Sequence, residues 1–213
     1  MAASLAQRYK IVLANKSFWL SSIVGFVIFA GSIFANFYAG NYATEVASNS
    51  VTDIILSNVR VFDIDAIFIY GSLALIIFVA VLCLIEPKRI PFVLLSFSLF
   101  YFTRAIFISM THLGPYPGHV DLNTGNILGR LFSGSDMFFS GHTGAPFLLA
   151  LIFWDTKILR YLFLGWSVLF GVVVLLGHLH YTIDVFSAFF ITYGIFHLAI
   201  FFFKNEYALF NSG

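Results

Sequence analysis

The chain carries little charge. Asp, Glu, Lys and Arg make up 10% of its 213 residues, against about 25% in an ordinary soluble domain. A net charge of +1 offers no basic surface, so nucleic acid is not an expected partner. Cysteine is almost missing. The single Cys83 lies within an apolar block, which excludes an intrachain disulfide and a multi-cysteine metal site. There is no internal repeat and no low-complexity stretch. A cleavable signal is not expected either. Arg8, Lys10 and Lys16 precede an apolar run over 18–38 that is too long for a signal, and no convincing small-residue cleavage site follows it.

What the chain has in abundance is apolar sequence. Hydrophobic residues make up 60%, and the mean hydropathy is +0.95. They fall in long blocks rather than amphipathic stripes, the pattern of a polytopic membrane protein. Six spans are expected, at 18–38, 64–85, 91–110, 142–154, 160–178 and 184–203. The fold class is therefore all-α, with residues 1–213 forming one six-helix membrane domain. The first span would also serve as the targeting element. The fourth is short against the ~20 residues a crossing needs, unless it extends back through Met137. Segment 44–60 is mixed and is read as an interfacial helix.

Orientation follows from Lys and Arg. With six spans, one side holds Arg8, Lys10, Lys16, Lys88, Arg89, Lys157, Arg160 and Lys204, and the other only Arg60 and Arg130. This bias predicts cytoplasmic termini. His112, His119, His142, His178 and His180 then fall at the external face, as do Glu45, Asp53, Asp63, Asp65, Asp121, Asp136 and Asp184. Titratable groups gathered at one face predict a site open to the exterior, the periplasm or a lumen. The expected location is a cell membrane, inner or plasma.

Two polar strings stand out: Asp136-Met-Phe-Phe-Ser140-Gly141-His142-Thr143 and His180-Tyr181-Thr182-Ile183-Asp184. His180 and Asp184 are four apart, so a helix starting near Tyr181 would place them on one face. A carboxylate on one imidazole nitrogen fixes the tautomer and leaves the other nitrogen as a nucleophile. Taken alone, the pair also fits a helix start with a capping acid. His142 follows Ser140-Gly141 at a helix start, where free N–H groups bind anions and a histidine can protonate a leaving oxygen. Ser140 would also serve as a plain N-cap. Arg104 sits inside the third span, where a charge costs about 2.5–3.5 kcal/mol on insertion scales. It would bind a lipid phosphate, or else snorkel to the nearer external end. Asp136 is a first-turn acid or a head-group contact, His178 a supporting or merely wet loop residue. The tract from His112 to Gly118 is a rigid external turn.

Together these strings resemble the sphingomyelin synthase branch of the type 2 phosphatidic acid phosphatase superfamily. That branch carries Asp-x-x-x-Ser-Gly-His-Thr, found here at 136–143, and His-Tyr-Thr-x-Asp-Val, found at 180–185. Its Tyr-x-x-Arg string fits Tyr101 and Arg104, followed after six intervening residues by Thr111; Pro115-Tyr-Pro117-Gly118 matches its Pro-x-Pro-Gly. The resemblance covers about 91–203. It implies that His180 is the nucleophile, Asp184 its orienting base and His142 the acid for the leaving group. Tyr101, Arg104, Asp136, Ser140, Gly141 and His178 would surround the phosphate and head group. It implies a phosphohistidine-type intermediate and no metal or other cofactor.

The expected substrates are a phospholipid and a lipid alcohol, ceramide or diacylglycerol, and the bilayer is a further expected partner. The family's Pro-Pro-Leu-Pro-Asp string has no counterpart around Thr52-Asp53, and its paired arginines fall on Pro91-Phe92. The broader phosphatase strings, Lys-x6-Arg-Pro and Ser-Arg before the second His, are missing. Transfer to a lipid alcohol and transfer to water, as in a lipid phosphatase or phospholipase C-like hydrolase, therefore both remain open. A transporter or scramblase would leave the His/His/Asp set unexplained, and the inverted repeats that often mark one are not visible. Single cysteines introduced across 112–134 should react with impermeant reagents from the external side; labelling from the cytoplasm would overturn this topology.

Overall fold

The computed structural model describes residues 4–117 and 137–212, and all regular structure among them is helical. Asp136, His119, Asp121 and Arg130 lie outside the described residues. Helix α1 spans Leu5–Leu13, α2 Lys16–Glu45 and α3 Asp65–Ile85. A 3-10 turn at Pro87–Arg89 leads into α4, Ile90–Ser109. The next described helices are α5, Gly141–Ile152; α6, Lys157–Leu176; α7, Thr182–Phe202; and α8, Lys204–Asn211.

Five helical segments are long and apolar enough to cross a membrane: α2, α3, the 3-10 turn with α4, α6 and α7. The chain is thus a multipass membrane protein. The expected fourth span is the exception. Helix α5 has 12 residues, about 18 Å at 1.5 Å per residue, short of the ~30 Å hydrocarbon layer. Segment 44–60 also departs from expectation. Helix α2 continues to Glu45, and the chain then runs to Ile64 as loop and turn. Asp53 Oδ1 accepts the backbone N–H groups of Ile55 (2.9 Å) and Leu56 (3.0 Å), and the Ser57 and Val59 N–H groups donate to the Asp53 and Ile55 carbonyls, so 53–59 makes a capped turn that is not continued as a helix.

Helix packing depends on small residues. The buried face of α2 repeats every seven residues as Phe18, Gly25, Ser32 and Ala39, and α4 packs along it. A Cβ on Gly25 would already lie 3.4 Å from Leu94 Cβ. Without a hydrophobic drive between helices in lipid, such close approach is what holds them. Helix α5 is nearly enclosed by α4, α6 and α7, with Leu148, Leu149, Ala150 and Ile152 all buried. At Gly144 a Cβ would meet Thr192 Oγ1 at 2.8 Å and Phe100 Cε2 at 2.9 Å.

The two ends of the bundle differ. At one, Arg8 pairs with Glu86 at 3.0 Å, Arg89 lies over Phe153 and Phe210, and Arg160 lies over Trp154. At the other, loop 46–64, tract 111–117, the 137–140 lead-in to α5 and the α6–α7 turn meet. Tract 111–117 lies tightly on the loop: Gly114 donates its N–H to Asn49 (3.3 Å), and a Cβ there would come within 2.2 Å of the Ser48 carbonyl oxygen. Gly144→Ala should destabilise the protein by about 1–3 kcal/mol through overpacking, while Gly31→Ala, with nothing within 4 Å, should not. Thermal unfolding in detergent distinguishes the two.

Candidate active site

Helix α7 begins just after His180, and its first turn carries Asp184. Asp184 Oδ2 accepts from His180 Nδ1 (3.2 Å) and from the backbone N–H of Tyr181 (3.0 Å). Both side chains are buried, Asp184 completely. A buried carboxylate needs compensation. Asp184 has it from the imidazole, one N–H and the positive end of the α7 dipole. Its second oxygen, Oδ1, is buried without a hydrogen bond among the described residues. With Nδ1 donating to Asp184, the lone pair of His180 resides on Nε2.

The second string comes to the first through the backbone. Ser140 donates its N–H to the Asp184 carbonyl oxygen at 3.1 Å. Ser140 also caps α5: its fully buried Oγ accepts from the Thr143 N–H (3.4 Å) and hydroxyl (3.2 Å). The Thr143 carbonyl in turn accepts from Ser167 Oγ of α6 at 2.7 Å. The N-termini of α5 and α7 are thereby joined, and His142 and His180 belong to one assembly.

The approach to α5 is strained. Phe138 and Phe139 have φ of 74° and 66°, a region bulky residues rarely occupy, at roughly 1–3 kcal/mol each. This backbone turns the Phe139 carbonyl toward α4, where it accepts from Arg104 Nε at 3.2 Å. Arg104 Nη1 donates to Asn36 Oδ1 at 3.0 Å. Gly141 makes room for the guanidinium, since a Cβ there would lie 3.0 Å from Arg104 Nε. Arg104 is buried, so it does not snorkel into solvent. The guanidinium is thus a buried cation held beside the N-terminus of α5, both of them positive features of the site. Tyr101, one turn before Arg104, packs its ring with Phe29, Phe97 and Phe100.

His142 is partly exposed and stacks on Phe68 of α3, with ring centroids 4.1 Å apart. His178 is placed differently. It is buried with φ 54°, and its Nε2 donates to the Val59 carbonyl at 3.0 Å. It ties loop 46–64 to the α6–α7 turn. Among the described residues, no group of three or more His, Cys, Asp or Glu is placed to hold a metal ion.

Two residues that matter here were not singled out in the sequence. Asn36 holds Arg104, and its only signal was an amide inside an apolar span. Asp53 clamps the start of α7. Its Oδ2 accepts the Thr182 N–H at 2.7 Å and its Oδ1 the Thr182 hydroxyl at 2.6 Å. Burial alone would push this carboxyl up. The bonds from Thr182, Leu56 and Ile55 outweigh it and hold Asp53 below its ordinary 3.8. The Tyr181 hydroxyl adds a second tie, donating to the Gly114 carbonyl (2.9 Å) and accepting from the Val51 N–H (3.2 Å).

The protein is thus an all-helical multipass protein that brings two histidines, an aspartate and a buried arginine to the joined starts of two helices. Residues 134–201, which hold both polar strings, match the family model described as PAP2 superfamily C-terminal. This match supports the type 2 phosphatidic acid phosphatase superfamily, and with it an enzyme acting on membrane lipids as phosphatase or phosphotransferase. No curated protein and no solved structure matches the chain.

Because Asp53 is held low in the folded state, its stabilisation is complete above its ordinary value and is lost as pH falls through the lower folded value. Asp53→Ala should remove that acid-side dependence and cost about 0.5–2 kcal/mol, as loss of a helix cap does. Unfolding followed against pH in detergent measures both.

Proposed function

We propose that the protein is a membrane lipid phosphotransferase that moves a phospho-head group from a phospholipid to a lipid alcohol, ceramide or diacylglycerol, in the manner of the sphingomyelin synthases. The observation that carries this reading is the Ser140–Asp184 backbone bond, which unites the His180–Asp184 pair with the His142 helix start. His180 Nε2 attacks phosphorus. The P–O bond to the donor's diacylglycerol breaks, and His142 gives its proton to that oxygen. Asp184 stabilises the charge that then develops on His180; its unbonded Oδ1 leaves capacity to do so. Arg104 and the α5 N–H groups receive the phosphoryl oxygens. Tyr101, Ser140 and Gly141 shape the head-group side, and His178 supports the turn carrying His180; Asp136, outside the described residues, is assigned to head-group binding on its string alone.

In the second half, the acceptor hydroxyl attacks phosphorus and loses its proton to His142, and the P–N bond breaks with its electron pair returning to His180. Water in the acceptor's place gives hydrolysis by the same steps, the alternative that the superfamily match equally accommodates. We assign six membrane passages, with α5 and its lead-in as the shortened fourth. The termini are cytoplasmic, and the site faces the exterior, the periplasm or a lumen of a cell membrane. The placement of Arg8, Lys88, Arg89, Lys157, Arg160 and Lys204 at the opposite helix ends from His142, His178 and His180 supports this orientation.

The test is incubation with labelled phosphatidylcholine, phosphatidylethanolamine and phosphatidate, with and without ceramide or diacylglycerol. A new phospholipid formed only when the alcohol is present is the expected product; free head group regardless of alcohol identifies a hydrolase. His180→Ala and His142→Ala should each abolish turnover in folded protein. Asp184→Asn should lower it by about 10²–10⁴-fold, as in related base-orienting pairs. Near-normal activity of both histidine variants on every lipid would reject the assignment.

A further inference from the structure

We propose that Phe68, backed by Phe170, forms an aromatic wall against His142 that keeps water from the acceptor position, so that α3 sets the balance between transfer and hydrolysis. This rests on the reading that His142 and His180 carry phosphoryl transfer.

Phe68 lies in the first turn of α3 and is only 2% exposed. Its ring sits 4.1 Å from the His142 ring at 42°. From α6, Phe170, 1% exposed, approaches the same imidazole at 6.1 Å and 45°. Gly71, one turn beyond Phe68, completes the arrangement. A Cβ there would lie 3.1 Å from Phe170 Cζ, so the missing side chain lets Phe170 fill the space between α3 and α6. His142 is thus flanked by two phenyl rings from two helices. Its partly exposed portion is the part a substrate can reach.

The consequence is chemical. In the second half-reaction, the acceptor oxygen attacks phosphorus, its proton passes to His142, and the P–N bond to His180 breaks with the electron pair returning to Nε2. A lipid hydroxyl and a water molecule perform this step identically. What separates them is occupancy of the place beside His142. A resident water needs two to four polar partners, and on the side of the imidazole that Phe68 and Phe170 cover it finds none, so a water there is held less well than at an open polar site. A lipid alcohol reaches the same place on an apolar chain that gains from contact with the wall. Excluding water from a reactive intermediate is a recognised role of such surfaces. Phe68 is accordingly a specificity-determining residue rather than a catalytic one.

The experiment measures transferred lipid and released head group together, using the best donor in the lipid panel with ceramide or diacylglycerol as acceptor. Phe68→Ala should raise the hydrolysed-to-transferred ratio about tenfold, the scale of discrimination that packing at a pocket provides. Phe68→Leu, which keeps apolar volume, should stay within about twofold of the parent. Phe170→Ala reads the same wall from α6 and should shift the ratio in the same direction, including where Phe68→Ala does not fold. A ratio unchanged in the folded alanine variants, with turnover measurable, overturns the proposal. So does a parent enzyme that only hydrolyses. Failure of the underlying reading looks different: the parent then neither transfers nor releases any head group, or the His142 and His180 variants keep full activity.

Discussion

A single backbone hydrogen bond, from the Ser140 N–H to the Asp184 carbonyl oxygen 44 residues on, joins the starts of two helices. Neither N-terminus is complete without its neighbours. Helix α5 is only 12 residues long and is held by Ser140 at its start and by Ser167 from α6. Helix α7 is held at its start by Asp53 and Asp184. Bringing two positive helix ends together is electrostatically adverse unless negative charge compensates it. Two buried or half-buried carboxylates supply that compensation on the α7 side. On the α5 side the start of the helix lies beside Arg104, with Ser140 capping the Thr143 N–H. The joined helix starts and Arg104 therefore gather positive charge at one end of the bundle.

The strained and the rigid parts divide the work. The left-handed pair Phe138–Phe139 turns a carbonyl to Arg104, and Asn36 holds the guanidinium from a second helix. A charge placed that deep in a membrane protein demands partners, and each partner further limits where it can move. On the other side, loop 46–64 reaches both the end of α6, through the Phe62 N–H to Leu176, and the start of α7, through Asp53. That loop spans the turn that carries His178, Leu179 and His180. The nucleophile candidate is thus positioned by polar bonds at the membrane face, and the acid candidate by aromatic packing from α3 and α6.

Much was legible in the chain before any coordinates. Hydropathy located four of the five long spans to within three residues at each end, and the start of the first, whose helix continues seven residues past the expected 38 to Glu45; an apolar run in lipid must satisfy its own backbone and can do so only as helix. The i, i+4 spacing of His180 and Asp184 anticipated their contact, since that interval is local geometry. The lack of charge anticipated a membrane protein. The shortness of the fourth span was visible too, although its full extent was not. Segment 44–60 misled, because its composition suits an interfacial helix while its fold is set by distant partners, Ser48 on His112, Val51 on Tyr181 and Asp53 on Thr182.

Tertiary structure alone decided which separate pieces meet. No periodicity ties Asp53 to Thr182 across 129 residues, Asn36 to Arg104 across 68, or Phe68 to His142. Those partners are chosen by how α2, α3 and α4 pack, and packing in lipid turns on small residues and buried polar bonds that a hydropathy pattern does not record. The residue types that can do chemistry were determined by the sequence itself. Their mutual placement, and the wall that shields one of them, came from long-range contacts among helices.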